Sequence, residues 1–311
     1  MKENVVVTGG AGFIGSHIAR ELVKQGYGVK VIDNLFEGKM ENISDIENEI
    51  EFVKGDIRDN ELLEKEFSGM DFVLHQAALR SVIHSMNNPK EYNDVNINGT
   101  VNVLEAARNN GVKRVVFASS SSVYGNTTKL PESENDELNP LSPYAVTKLV
   151  GERYCKIYSE AFGLETVSLR YFNVFGPMQD PKSEYAVVIP LFIDAIMNDR
   201  KPIIFGDGLQ SRDFTFVKDV VEGNLVAMKK EGISGEVFNI AKGENIKVID
   251  LVHKINGILG KKVEAKFVSA RKGEAKHTQA DPEKAKKALG FVCKHEFDEG
   301  LRKTVEWFKD N

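Results

Sequence analysis

Tyr144 and Lys148 stand in the run Ser142-Pro143-Tyr144-Ala145-Val146-Thr147-Lys148, a Y-x-x-x-K spacing. On a helix, positions i and i+4 share a face, so a phenol and an ammonium project together. An unperturbed tyrosine titrates near pH ~10 and is a poor base at neutrality. A cation beside it favours the phenolate and draws that value toward the range in which a general acid/base works. The spacing is common by itself, and most exposed Tyr/Lys pairs decorate a surface. Its weight here comes from its neighbours, beginning with a row of hydroxyls upstream, Ala118-Ser119-Ser120-Ser121-Ser122-Val123-Tyr124.

A second chemical feature lies near the amino terminus. Gly9, Gly12 and Gly15 fall at G-x-x-G-x-x-G spacing between an apolar run, Val5-Val6-Val7, and a helical stretch. Such a turn needs residues without Cβ for a sharp bend, close backbone approach to a pyrophosphate and tight helix packing. The helix start supplies unpaired N–H groups and the positive end of a dipole. Val31-Ile32-Asp33 closes the next apolar run, which places Asp33 to meet adenosine ribose hydroxyls. Its charge repels a 2′-phosphate and no arginine follows directly, so the pattern favours NAD over NADP. Gly55-Asp56-Ile57 places a carboxylate for the adenine amino group, and Gln76-Ala77-Ala78 offers small residues against which a cofactor can lie.

These groups need elements to hold them. Apolar runs at 4–7, 28–32, 51–54, 71–75, 114–118 and 164–170 predict strands, and helical periodicity covers 13–25, 60–67, 91–109 and 143–161. The alternation predicts an α/β fold, a Rossmann-type doubly wound parallel sheet covered on both faces, because parallel neighbours require crossovers. From about Asn173 the pattern loosens into loops rich in Pro, Gly and Asp, which predicts a smaller, loop-rich substrate domain. The expected division is an NAD-binding domain over 1–172 and a second domain over 173–311, with 215–241 returning to the first.

The chain has 311 residues, 41% hydrophobic and 28% charged, with a formal net charge of −5. These values suit a soluble globular protein and supply no global basic field for nucleic acid. Cys155 and Cys293 lie far apart, and neither they nor the six histidines form a metal-ligand spacing, so reduced thiols and no metal are expected. The first residues lack the flanks of a signal peptide and no apolar run reaches membrane-spanning length, so a cytoplasmic setting away from membranes is expected.

Taken in order, TGGAGFIGSH, GDIRD, HQAAL, NINGT, SSSSVYG and SPYAVTK resemble the extended short-chain dehydrogenase/reductases across the whole chain. The resemblance implies a Ser120–Tyr144–Lys148 triad, in which Ser120 hydrogen-bonds a sugar O4 and shares its proton. It implies NAD contacts from Gly9, Gly12, Phe13, Ile14 and Gly15 in the turn, and from Asp33, Asn34, Asp56 and Ile57 further on. Gln76, Ala77, Ala78, Asn96 and Ser119 belong to the same implied set, as do Tyr144, Lys148, Val174 and Tyr171, the last bordering the nicotinamide.

Within that family, Leu169-Arg-Tyr-Phe-Asn-Val-Phe-Gly-Pro177 is similar to the UDP-hexose 4-epimerases. The similarity implies that Asn173 touches the sugar diphosphate, Arg212 clamps it and Phe205 lines a uracil pocket. Val188 and Ile189, in the stretch 185–190, also look like that group. Arg271 and Glu274 resemble an R-x-G-D motif with Glu in place of Asp, one methylene longer toward the ribose hydroxyls. Arg80, Ser81, Ser121 and Ser122 are implied sugar contacts. Thr278, four past Glu274, stands where a tyrosine would restrict the pocket to glucose and galactose, and a small residue makes room for an N-acetyl group. The implied reaction is C4 epimerisation of a UDP-hexose through a transient 4-keto sugar, on UDP-glucose/UDP-galactose and on UDP-GlcNAc/UDP-GalNAc. Arg80, where some members carry glycine, keeps the choice of sugar open. A 4,6-dehydratase is an alternative, although those enzymes carry an Asp-Glu pair where this chain has Ser121 and Ser122. A UDP-glucuronate decarboxylase is another, and a non-catalytic NAD sensor a more distant one, since all three triad residues stand. The resemblance also implies a homodimer formed by the helices near 91–109 and 143–161, with a UDP-sugar as the small-molecule partner.

Overall fold

The computed structural model describes residues 2–182, 187–269 and 276–311. β1 (Asn4–Thr8) buries Val5, Val6 and Val7 completely, the mark of a strand covered on both faces. α1 (Phe13–Lys24), β2 (Gly28–Asp33), β3 (Ile50–Lys54), α2 (Asn60–Glu66) and β4 (Phe72–His75) follow. α3 (Val82–Asn87) and α4 (Pro89–Tyr92) lead through one π-helical turn, Asn93–Asn98, into α5 (Gly99–Asn109). β5 (Arg114–Ser120), α6 (Pro143–Phe162) and β6 (Glu165–Tyr171) complete the first half.

β7 (Val174–Phe175), α7 (Val188–Met197), β8 (Ile203–Phe205), β9 (Ser211–Arg212), β10 (Thr215–Phe216) and α8 (Val217–Lys229) come next. β11 (Glu236–Ile240), β12 (Ile246–Lys247), α9 (Val248–Leu259), β13 (Lys266–Val268) and α10 (Phe297–Asp310) end the chain. Seven strands form one parallel sheet in the order β3-β2-β1-β4-β5-β6-β11, so the predicted Rossmann-type α/β fold is what forms. β11 extends the sheet beyond β6 and α8 packs on α1, so 215–241 lies against the sheet.

Two apolar cores flank the sheet. Ile18, Leu22, Val220 and Ala227 fill one face under α1 and α8, while Leu63, Val103, Leu104 and Cys155 fill the other. A third core, built on Phe175, Phe192, Phe214, Phe216 and Phe297, joins α7, α9 and α10. Strand order reverses between β1 and β4, and at such a switch point a crevice opens beyond the carboxyl ends of the strands. Thr8, His75 and Ser120 end their strands at that edge.

Two local features differ from the sequence reading. The helix expected over 91–109 is interrupted by the π turn, where one extra residue per turn redirects Asn96 inward. β5 runs on to Ser120, two residues past its expected end, so Ser119 and Ser120 sit on a strand opposite α6. α6 itself starts as its sequence suggests: the Ser142 hydroxyl accepts from Ala145 N at 3.2 Å, and Pro143 occupies the first turn, where its missing N–H costs nothing. Gly163, at φ 72°, closes it in the left-handed conformation. Among the described residues, no helix is long and apolar enough to cross a membrane.

Candidate active site

At the switch point the glycine turn is packed to the limit. Gly9 has φ +70°, and a Cβ on it would meet Ala77 N at 2.7 Å, while a Cβ on Gly15 would lie 2.2 Å from Gly9 O. Gly12 caps α1 without a side-chain bond to the first-turn amides. Phe13 and Ile14 therefore present N–H groups at the positive end of a 12-residue helix, beside the small residues Ala77 and Ala78. The donor set suits a pyrophosphate.

Asp33, at the end of β2, accepts from the amides of Ala11 at 3.0 Å and Leu35 at 2.8 Å. Burial pushes its carboxyl above the usual range, and the two amides oppose that. Asp56, expected to meet the adenine amino group, is also engaged within the protein. Asn34 Nδ2 and the N, Nε and Nη2 of Arg58 all donate to it, which is about the full acceptor capacity of a carboxylate. Arg58 holds Asp56 well below the usual carboxylate range. Ile57 beside it is buried against Gly99.

The side chains of Asn96 and Ser119 bond within the protein. The Asn96 amide accepts from Leu79 N at 2.8 Å and donates to Leu79 O and Thr147 Oγ1, so it braces the 76–80 segment against α6. The Ser119 hydroxyl donates to Glu152 Oε1 at 2.5 Å. Tyr171 OH donates to Gln76 Oε1 at 3.1 Å and accepts from Asn224 Nδ2 at 2.8 Å, and Gln76 Nε2 returns to Asn224 Oδ1. This closed triangle fixes Gln76 at the mouth of the crevice, and Asn224 had no sequence signal. Val174 lies in β7, its carbonyl accepting from Gln179 at 3.0 Å.

The triad residues come together where α6 faces the end of β5. The Tyr144 phenol faces the Ser120 hydroxyl, whose influence lowers its proton affinity. One turn on, Lys148 Nζ donates to Ala118 O at 2.8 Å and sits over the Phe117 ring. Burial pulls Lys148 down to about 8, and it has no ion-pair partner among the described residues. Tyr144 runs against expectation. Burial raises its phenol above the ordinary value, Ser120 and Arg80 pull it down, and Glu37 pushes it up. The protein's own groups thus leave the phenol protonated, because burial outweighs the groups that draw its proton affinity down. Arg80 Nε is paired with Glu37 Oε2 at 2.9 Å, which ties the 76–80 segment to the loop after β2.

On the other side of the crevice, Asn173 adopts φ 32°, an uncommon conformation for a non-glycine residue, and its Nδ2 donates to Asp213 O at 2.9 Å. Thr278 Oγ1 accepts from Asp213 N at 3.4 Å and stands 3.5 Å from Asn173 Nδ2, so Thr278 is brought beside Asn173. Arg212, in β9, donates to the carbonyls of Ser211 and Lys276. Phe205 ends β8, and Val188 begins α7. The Ile189 side chain is packed in the third core with Phe192 and Ile193. Ser81 is a helix cap, its oxygen accepting from His84 N at 3.1 Å. Ser121 and Ser122 form the turn after β5; Ser122 N donates to Ser120 Oγ, and Ser122 Oγ is buried with no hydrogen-bond partner among the described residues. Two acids without sequence signal lie near Arg212 and Thr278: burial pushes Glu132 up to about 8 and Asp213 up to about 7. Tyr185, Arg271 and Glu274 lie outside the described residues.

Comparison with known proteins now decides the family. The model of the NAD dependent epimerase/dehydratase family matches residues 5–241. The chain belongs to that family. A UDP-glucose 4-epimerase of Mycolicibacterium smegmatis is 39% identical over 310 residues, covering 98% of each chain. The solved UDP-N-acetylglucosamine 4-epimerase from Methanobrevibacter ruminantium, in complex with UDP-N-acetylmuramic acid, is 42% identical, with a TM-score of 0.95 over 100% of this chain and 99% of that one. The UDP-glucose 4-epimerase of Thermus thermophilus, solved with NAD, is 35% identical, with a TM-score of 0.90 over 98% and 99%.

NAD is the cofactor, and the Gly9–Gly15 turn with Asp33 fits it. Gly15→Ala drives a methyl into Gly9 O, so the turn must open. Overpacking of this kind costs about 1–3 kcal/mol, and NAD affinity is expected to fall about tenfold or more. Calorimetric titration with NAD checks it; unchanged affinity would mean that the turn is not the pyrophosphate cradle.

Proposed function

We propose that the protein inverts C4 of a UDP-hexose, acting on UDP-glucose/UDP-galactose and on UDP-GlcNAc/UDP-GalNAc. The observation that carries the reading is the grouping of Ser120 at the end of β5 with Tyr144 and Lys148, one turn apart on α6, Lys148 bonded to Ala118 O on the same strand. NAD, when bound, takes a hydride from C4 and returns it, and its positive ring supplies the charge that lowers the phenol's proton affinity.

Tyr144 takes the O4 proton as C4 is oxidised, and later gives it back. Ser120, beside the phenol, holds O4 and relays that proton. Lys148 adds a buried positive charge behind the phenol. The 4-keto sugar turns about its phosphate linkage and presents its other face, so the proton and hydride return with C4 inverted. Net oxidation is zero. This demands a firm hold on the diphosphate, from Arg212 and Asn173, and a loose sugar site, lined by Ser121, the unpartnered Ser122 hydroxyl and Thr278.

Elimination of a 6-hydroxyl, the alternative chemistry on this scaffold, needs an acid and a base after Ser120, and Ser121 and Ser122 supply neither. The small Thr278 beside Asn173 favours room for an N-acetyl group. The reading carries with it a cytoplasmic homodimer through α5 and α6. Val146 and Ile157 on α6 are exposed apolar residues available to a second copy, and light scattering reads the dimer mass directly.

The test is turnover of UDP-glucose and of UDP-GlcNAc by the purified protein with NAD, followed by NMR. Interconversion of both pairs is expected. Turnover of UDP-glucose alone would refute the wider pocket, and a 6-deoxy or pentose product would refute epimerisation.

A further inference from the structure

A buried chain of polar groups runs behind the triad. Arg170 on β6 donates through Nε to Glu152 Oε1 and through Nη2 to Oε2, both at 2.8 Å. Its Nη1 donates to Tyr124 OH at 2.9 Å, and its plane lies 4.7 Å from the centre of the Tyr124 ring. Tyr124 OH donates in turn to Asn239 Oδ1 on β11 at 2.7 Å. Ser119, Glu152, Arg170, Tyr124 and Asn239 are all buried.

Tyr144, Lys148 and Glu152 are spaced by four along α6 and therefore form one stripe. Each member of the stripe touches the end of β5: Tyr144 meets the Ser120 hydroxyl, Lys148 the Ala118 carbonyl and Glu152 the Ser119 hydroxyl. Glu152 and Lys148 would make a ready i,i+4 ion pair. They do not, because Arg170 and Ser119 occupy the carboxylate. The other groups facing Lys148 carry no compensating negative charge. His75 is bonded to Thr8 and Thr100 and pulled down to about 3 by burial, and burial pushes the Cys155 thiol up to about 12.

We infer that Arg170 and Glu152 are positioning residues for the reaction: with Ser119 they fix α6 against β5, and Arg170 withholds from Lys148 the carboxylate one turn away. The charge of Lys148 is thereby reserved for the phenol. This inference rests on the acid/base role proposed for Tyr144, but its test does not depend on turnover.

The two single variants leave charges of opposite sign. Arg170→Met leaves a buried carboxylate beside Lys148, which raises the phenol's proton affinity. Glu152→Gln leaves a buried guanidinium, which lowers it. Tyr144 is titrated in the NAD complex through phenolate absorbance, against Tyr144→Phe as blank, and kcat is recorded against pH with UDP-glucose. The titration and the acid limb are expected to move up by about one pH unit in Arg170→Met and down by a similar amount in Glu152→Gln. KM is expected to stay within about twofold while kcat at neutral pH falls about tenfold in Arg170→Met. Should Arg170→Met fail to fold, the neutral pair Glu152→Gln/Arg170→Met is expected to titrate like the parent, and Glu152→Gln alone still gives the downward shift. Movement of both single variants in the same direction, or no movement in either, overturns the inference. An inert parent protein would refute the proposed reaction while leaving the titration to decide this point.

Discussion

Tyr144→Phe is expected to lower kcat for C4 inversion by about a hundredfold to ten-thousandfold, the range for loss of a positioned acid/base. That corresponds to roughly 3–5 kcal/mol of transition-state stabilisation. The substitution removes one oxygen and keeps the ring, which packs edge-on against Tyr92 with centroids 6.5 Å apart. NAD affinity and KM should therefore change little, and the whole effect should appear in kcat. The same reasoning gives the pH dependence of the parent enzyme. In the protein by itself the phenol lies above its ordinary value through burial, so activity should rise with pH through an acid limb set by Tyr144. In the variant that limb should vanish. A Tyr144→Phe protein that keeps a tenth of the parent's kcat, followed by NMR on UDP-glucose, would remove Tyr144 from the chemistry.

The parts of this site that were legible in the sequence are those whose cause is local. Gly9, Gly12 and Gly15 are required by atoms within a few residues or on the adjoining loop, and the Cβ positions explain each spacing. Tyr144 and Lys148 share a face because one helix carries both, and Ser142-Pro143 announces where that helix begins. The seven parallel strands follow from runs of Val, Ile and Leu that only a doubly covered sheet accommodates.

What stayed hidden is set by contacts distant in sequence, or by competition for one group. Asp56 also pairs with Arg58, two residues away, which its place in Gly55-Asp56-Ile57 does not announce. The row of serines does not announce that Ser119 and Ser120 take different partners. Strand alternation alone separates them, sending Ser119 toward Glu152 and leaving Ser120 for Tyr144. Asn96 reads as a ligand contact, but the π turn commits its amide to Leu79 and Thr147. Arg170 meets Glu152, Asn224 meets Tyr171 and Asn239 meets Tyr124 only after β6, α6, α8 and β11 assemble, and no spacing in the chain encodes that.

Lys148→Met is expected to lower kcat by about a hundredfold or more and, unlike most active-site changes, to stabilise the protein in the absence of NAD. The second effect follows from the burial that brings the ammonium from an ordinary 10.5 to about 8. A drop of that size corresponds to roughly 3 kcal/mol of preference for the neutral amine in the folded state. The sign is fixed by proton counting. Between pH about 8 and 10.5 the unfolded chain binds the proton and the folded chain does not, so stability rises with pH across that window. At pH 7 the lysine is charged in both states and its burial is felt in full. Methionine has nearly the same length and no charge, so it removes that cost while giving up the bond to Ala118 O, worth about 1–2 kcal/mol. The net gain expected at pH 7 is about 1–2 kcal/mol, shrinking toward zero by pH ~10. Thermal unfolding of the NAD-free parent and variant at pH 7 and pH 10 separates the cases. A variant less stable at pH 7, or offset by the same amount at both pH values, would show that Lys148 is not held charged against its burial. The expected result would show the opposite: the fold gives up stability to keep a positive charge behind the Tyr144 phenol, as the proposed use of that charge requires.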